Sequence, residues 1–178
     1  MNIVITGFMC SGKTSVGKRL AEKLNFDFLD TDDLVENKVG MRITEIFEKY
    51  GEPYFRELEA QIIKEVSEKD KLVISTGGGV VLREENVSNL RKNGVIINLV
   101  AKPETIYERL KKQPGIRPLL NKPNPLEEIK KLLEYRERYY KNCDFRVETD
   151  NLSVEEIVEK ILNFLKTKKF FYESKDRD

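Results

Sequence analysis

Two glycines bracket the stretch Gly7-Phe8-Met9-Cys10-Ser11-Gly12-Lys13-Thr14 near the start of the chain. The spacing GxxxxGKT lets the backbone curl with its N–H groups pointing inward, a cradle for polyphosphate oxygens. Lys13 supplies a mobile charge for the β- and γ-phosphates, and the Thr14 hydroxyl is suited to ligate Mg²⁺. Cys10, Ser11, Gly12 and Ser15 complete the group expected to line that cradle. A helix starting near Lys13 would aim the positive end of its dipole at the same point.

Carboxylates follow at Asp30 and Asp32, two residues apart. In extended backbone both would face one side, one holding Mg²⁺ through water and the other accepting a proton from an alcohol. Taken alone, Asp32 or Thr31 reads equally as the cap of a following helix. Gly77-Gly78-Gly79 gives up conformational entropy and offers no side-chain packing, so either something approaches that backbone closely or it is a loop turn. Arg56 lies beside Phe55 and Leu58 and reads as a paired arginine or as a site cation. Arg117 sits in a proline-rich segment, and Arg136 sits on a highly charged helix. The chain has no histidine. Any proton acceptor is therefore a carboxylate, a lysine or a tyrosine.

Alternating strand and helix patterns position these groups. An apolar run, Ile3-Val4-Ile5, precedes the glycine-rich loop. Val16, Leu20, Ala21 and Leu24 recur at helical spacing until Asn25, and Phe26 to Asp30 reads as a short strand. Helical stretches are expected from about Asp33 to Val39 before Gly40, from Ile43 to Tyr50 with Thr44 as cap, and from Glu52 to Lys69. Leu72–Ser75 and Val95–Val100 are strand-like, with a helix between them over 84–93. Pro103 opens a further helix. The pattern dissolves from Gln113 to Pro125, then resumes as a helix from Leu126 to Asn142, a strand at 145–149 and a final helix capped by Ser153. Near-continuous apolar strands alternating with helices predict a parallel sheet covered on both faces, with ligands at the carboxyl ends of the strands.

With 178 residues, a single domain with one enclosed core is expected. The 32 basic and 31 acidic residues nearly cancel, which leaves no electrostatic footprint for nucleic acid or an anionic membrane. Two cysteines make neither a disulfide framework nor a metal-ligand set, and no run reaches membrane-spanning length. A cytoplasmic protein acting as a monomer is the expectation.

Taken in order, GFMCSGKT, LDTDD at 29–33, GEPYFRELE at 51–59, STGGGVV at 75–81, RPLL at 117–120 and YRERYYKNCD at 135–144 resemble the shikimate kinase family, over residues 1 to about 165. The resemblance implies a three-layer α/β/α P-loop fold with a five-stranded parallel sheet in the order 2-3-1-4-5. It implies transfer of the ATP γ-phosphoryl group to the 3-hydroxyl of shikimate with Mg²⁺. By the same resemblance Asp32 holds and deprotonates that hydroxyl, while Thr14 and Asp30 position Mg²⁺. Arg56 and Arg136 clamp the substrate carboxylate, Glu59 supports Arg56, and the Gly77, Gly78 and Gly79 backbone meets the substrate hydroxyls. Arg117 closes over the phosphates in a lid spanning about 112–124. A kinase of another polyhydroxy acid such as gluconate, or a nucleotide-dependent switch, are the alternatives. The charged tail at 168–178, with Phe170-Phe171-Tyr172, lies beyond the resemblance.

Overall fold

In the computed structural model, which describes residues 1–113 and 118–168, five strands lie parallel. They are β1 (Asn2–Gly7), β2 (Asp27–Asp30), β3 (Leu72–Ser75), β4 (Gly94–Val100) and β5 (Phe145–Glu148), arranged β2-β3-β1-β4-β5. The helices are α1 (Lys13–Leu24), α2 (Thr31–Val39), α3 (Ile43–Tyr50), α4 (Glu52–Ser67), α5 (Glu84–Lys92), α6 (Pro103–Lys112), α7 (Pro125–Tyr140) and α8 (Val154–Thr167). This is the layered sheet and strand order that the family resemblance implies.

Strand side chains alternate between the two faces, which divides the core into two. Ile3, Ile5, Val73, Val95, Ile97, Leu99 and Val147 pack under α1 and α8. Val4, Leu72, Ile74 and Ile96 face the other helices, against residues such as Val35, Ile63, Leu90 and Ile106. Each such side chain, when fully buried, contributes about 1.5–3 kcal/mol. On the α1 and α8 face, Glu155 joins the two helices by accepting from Arg19 and Lys23, both at 2.8 Å. Asn2 ties strand starts together at the amino-terminal rim: its side-chain amide donates to the Lys69 carbonyl at 2.9 Å and its oxygen accepts from the Leu72 N–H at 3.0 Å.

Several boundaries follow local chemistry. Asn25 and Gly40 close α1 and α2 in left-handed backbone, with φ of 54° and 75°. Ser153 caps α8 as expected, accepting from the Glu156 N–H at 3.2 Å while the Glu156 carboxylate accepts from the Ser153 N–H at 2.7 Å. Thr44 does not cap α3. The helix starts at Ile43 as expected, and the cap position is Arg42, two residues before Thr44, where the Glu45 carboxylate accepts from the Arg42 N–H at 2.7 Å. Between α6 and α7, Pro118–Asn121 forms a 3₁₀ turn, and Leu119 and Leu120 pack against the core. That part of the predicted structureless lid is therefore ordered by apolar contact. Arg117 and the aromatic cluster of the tail lie outside the described residues. Among the described residues, no helix is long and apolar enough to cross a membrane.

Gly94 opens β4 under the end of α5, where an added Cβ would stand 2.5 Å from the Leu90 carbonyl oxygen. A backbone atom cannot step aside, so Gly94→Ala should destabilise the protein by about 1–3 kcal/mol. A lowered denaturant midpoint at unchanged m-value is the expected measurement.

Candidate active site

Because β3 lies between β2 and β1, the segments following these three strands emerge side by side at one rim of the sheet. The glycine-rich loop follows β1, Asp30 ends β2, and Gly77–Gly79 follows β3. Thr76 fixes the third segment to the first strand: its N–H and its hydroxyl both donate to the Ile5 carbonyl, at 3.0 and 3.1 Å.

The loop at 7–14 adopts the backbone its glycines allow. Gly7 and Gly12 have φ of 148° and 96°, and Gly12 precedes the first turn of α1. Cys10 takes φ of 59°, an uncommon choice for a residue with a Cβ, and its carbonyl accepts from Arg109 Nη1 at 2.9 Å. The Lys13 amine folds back on the loop and donates to the Gly7 and Phe8 carbonyls at 2.9 and 2.8 Å. Burial lowers its pKa to about 8, opposed by Asp32 and Asp30. Such a lysine favours an anion that restores its charge. Ser11 is buried, whereas Thr14 and Ser15 are exposed at the start of α1.

The carboxylate pair is arranged differently from the extended strand end anticipated. Helix α2 begins at Thr31, so Asp30 is its cap: Asp30 Oδ1 accepts from the Asp32 N–H at 3.0 Å. The expected caps, Thr31 and Asp32, instead belong to the first turn. Helical backbone at Thr31 turns the two carboxylates to different tasks. Asp30 Oδ2 accepts from the Thr14 hydroxyl at 3.2 Å, which pairs two oxygen donors across the rim. The Thr31 hydroxyl accepts from the Gly77 N–H at 3.0 Å. Asp32 reaches over Gly77.

The three glycines are where charged side chains come closest to backbone. A Cβ on Gly77 would lie 2.5 Å from Asp32 Oδ1 and 3.0 Å from Glu59 Oε1. On Gly79 it would lie 2.4 Å from Arg56 Nη1, and on Gly78 it would lie 3.4 Å from Arg136 Nη1. Arg56 is braced on α4 by Glu59, at 2.9 and 3.1 Å from Nη1, and by Glu52, at 3.2 and 3.3 Å. Arg136 extends from α7 over the Phe8 ring, 5.6 Å from its centroid. Its Nε is buried with no hydrogen-bond partner among the described residues. A buried guanidinium N–H without an acceptor is costly, and a carboxylate is the acceptor that fits it best.

Lys13, Arg56 and Arg136 thus face Asp30, Asp32 and Glu59. Burial raises Asp32 to about 7, helped by the Asp30 and Glu59 carboxylates and opposed by Lys13 and Arg56. Burial also raises Glu59, against the pull of Arg56 and Arg136. A carboxyl that titrates near neutrality can accept a proton efficiently at ordinary pH.

Sequence reasoning missed several residues that build this site. The Tyr140 hydroxyl donates to the Gly78 carbonyl at 2.7 Å. Asp144 locks the end of α7 to β4, accepting from the Ile96 N–H at 2.8 Å and from Arg91 at 3.0 Å. Phe8 had no role of its own in the sequence reading, and Arg109 fell in a stretch, 109–112, whose match to the family's adenine-covering arginine is loose. Only the fixed spacing of Arg136, Tyr140 and Asp144 carried a signal, and it gave no partners. Among the described residues no cluster of three or more acidic or cysteine side chains could enclose a metal. The Thr14 and Asp30 oxygens suit an ion that keeps most of its waters, as Mg²⁺ does.

Comparison with known proteins matches residues 9–166 to the family described as shikimate kinase. A shikimate kinase of Thermodesulfovibrio yellowstonii is 52% identical over 161 residues, covering 90% of this chain and 92% of that protein. The solved structure "Shikimate kinase from Acinetobacter baumannii in complex with shikimate" is 35% identical with a TM-score of 0.89, covering 94% of each chain. A gluconokinase from Sinorhizobium meliloti 1021 is 19% identical with a TM-score of 0.65 over 97% of each chain, a likeness of fold alone.

The raised Asp32 pKa predicts a stability effect of definite sign. Below the unfolded-state value of about 3.9 both states hold the proton. Between there and about 7, the unfolded chain releases a proton that the folded one retains, so stability falls as pH rises; above that the penalty is constant. Asp32→Asn should therefore melt about 3–8 °C above the parent at pH 8, with the difference shrinking toward pH 4.5. Calorimetric scans at the two pH values measure it.

Proposed function

The chain belongs to the shikimate kinase family and is an ATP-dependent phosphotransferase, and from that premise we propose how its own residues phosphorylate the 3-hydroxyl of shikimate. The observation that carries this reading is the guanidinium of Arg136, beside Gly78 and over Phe8 of the phosphate loop, whose buried Nε has no hydrogen-bond partner among the described residues. A nucleotide switch has no use for such a cation, whereas a carboxylate-bearing acceptor does.

Cys10, Ser11, Gly12, Lys13, Thr14 and Ser15 receive the ATP phosphates, and Lys13 moves from the loop carbonyls to the β- and γ-phosphates. Thr14 and Asp30 would hold Mg²⁺. When bound, the ion supplies charge neutralisation on the phosphoryl oxygens. Arg136 and Arg56 hold the shikimate carboxylate, with Glu59 and Glu52 keeping Arg56 in its rotamer. The Gly78 and Gly79 N–H groups, which donate to no protein acceptor among the described residues, are free to meet substrate hydroxyls. Asp32, over Gly77, orients the 3-hydroxyl and accepts its proton as the oxygen attacks phosphorus. Arg117, as part of a lid at about 112–124, would close over the phosphates and exclude water. The enzyme acts in the cytoplasm as a monomer.

A coupled assay of ADP release over a panel of polyhydroxy acids tests the substrate. Turnover of shikimate and none of gluconate is expected; the reverse sinks the reading in favour of a gluconate kinase. Asp32→Asn should lower kcat by about 10²–10⁴-fold while ATP affinity changes less than about twofold. In the parent, kcat/KM should rise with pH through about 7 as Asp32 deprotonates, and a flat profile across that range would remove it as the base. Arg136→Ala should raise the KM for shikimate by about 30-fold or more, because truncation leaves the substrate carboxylate with only one of its two arginines.

A further inference from the structure

Tyr140, the last residue of α7, is 3% exposed, yet it carries a hydroxyl into the apolar core between that helix and the sheet. The hydroxyl donates to the Gly78 carbonyl at 2.7 Å, a contact that spans 62 positions of sequence. Arg136 is one helical turn earlier on the same face, and its guanidinium is the strongest charge acting on the phenol, whose pKa burial pushes up.

A run of three glycines has no side chains with which to hold its own peptide planes, and glycine peptides reorient at little cost. Within one peptide unit the C=O and the N–H point in opposite directions. Drawing the Gly78 carbonyl toward α7 therefore turns the Gly79 N–H away from it. Thr31 already fixes the preceding segment through the Gly77 N–H, at 3.0 Å, and the Val80 N–H returns to the Gly77 carbonyl at 3.2 Å. The Gly78–Gly79 peptide is held by the Tyr140 hydroxyl alone among the described residues.

We propose that Tyr140 is a positioning residue for the acceptor substrate, whose single hydroxyl fixes both the Gly78–Gly79 peptide plane and the seat of Arg136. This rests on the reading of the site as a shikimate site. Among the described residues the Tyr140 hydroxyl donates to the Gly78 carbonyl and makes no hydrogen bond to the phosphate loop or to Asp32, so its effect should appear in acceptor binding. A purely structural tyrosine would lower stability and leave both Michaelis constants where they are.

Tyr140→Phe removes one oxygen and keeps the ring. Steady-state kinetics should show the KM for shikimate raised about 10-fold, the size expected for a carbonyl left buried without its donor, with the KM for ATP within about twofold of the parent. In an Arg136→Lys background the same change should cost less, since both act on one contact. An unchanged shikimate KM in a variant that melts lower, or fully additive effects in the double variant, would overturn the proposal. A measurement on the unaltered protein guards against a poorly folded variant: the Gly79 amide resonance should shift on saturation with shikimate. A Gly79 amide that responds only to nucleotide overturns the proposal. Absence of shikimate turnover by the parent would overturn the functional reading itself, whereas parent turnover with an unchanged KM in Tyr140→Phe overturns this inference alone.

Discussion

Charged groups of both signs are packed against backbone that has no Cβ, and the rest of the site follows from that contact. Arg56 and Asp32 approach Gly79 and Gly77 to distances that any side chain there would block. In return, the glycines bring three cations and three carboxylates within mutual reach without filling the crevice. The strand order supplies the other half of the condition, since β3 must lie between β2 and β1 for the three segments to share a rim. Packing on each side of the sheet is ordinary; the sheet matters here because it sets that adjacency.

The cost of the arrangement falls on Asp32. A carboxyl placed among two others and withdrawn from water keeps its proton to about 7, and the fold bears the full penalty above that pH. Catalytic groups are commonly held this way, and in the reading proposed above the stability given up is the reverse side of a base strong enough to act. Lys13 shows the matching case for a cation, lowered to about 8 and satisfied for the moment by two loop carbonyls. Lys13 is better accommodated once an anion arrives.

How much of this was legible in the sequence depended on the range of the interaction. The loop at 7–14, the strand at 72–75 and the Ser153 cap are local, set by spacing and residue type over a few positions, and they stand where the sequence puts them. The strand order and the pairing of Arg56 with Arg136 came from family resemblance, because periodicity does not specify which strands are neighbours. The start of α2 was misplaced by two residues, since Asp30, Thr31 and Asp32 can all cap and only the bond from Asp32 N–H to Asp30 decides among them. Tyr140 and Arg109 were illegible for a plainer reason. Their partners are carbonyls 62 and 99 positions away, and a carbonyl is the same in every residue.

The sheet ends in two short strands, β2 and β5, each four residues long and each carrying charge: Asp27 and Asp30 on one, Arg146 and Glu148 on the other. An outermost strand offers unpaired N–H and C=O groups to any neighbour, and brevity with charge is how such an edge resists becoming a template for aggregation. The longer strands, β1 and β4, carry no charged residue and are kept inside. Asp30 therefore serves twice. The carboxylate that caps α2 and meets Thr14 is also the last residue of an edge strand, so a mutation made there to alter the Thr14 contact would at the same time remove a charge from that edge.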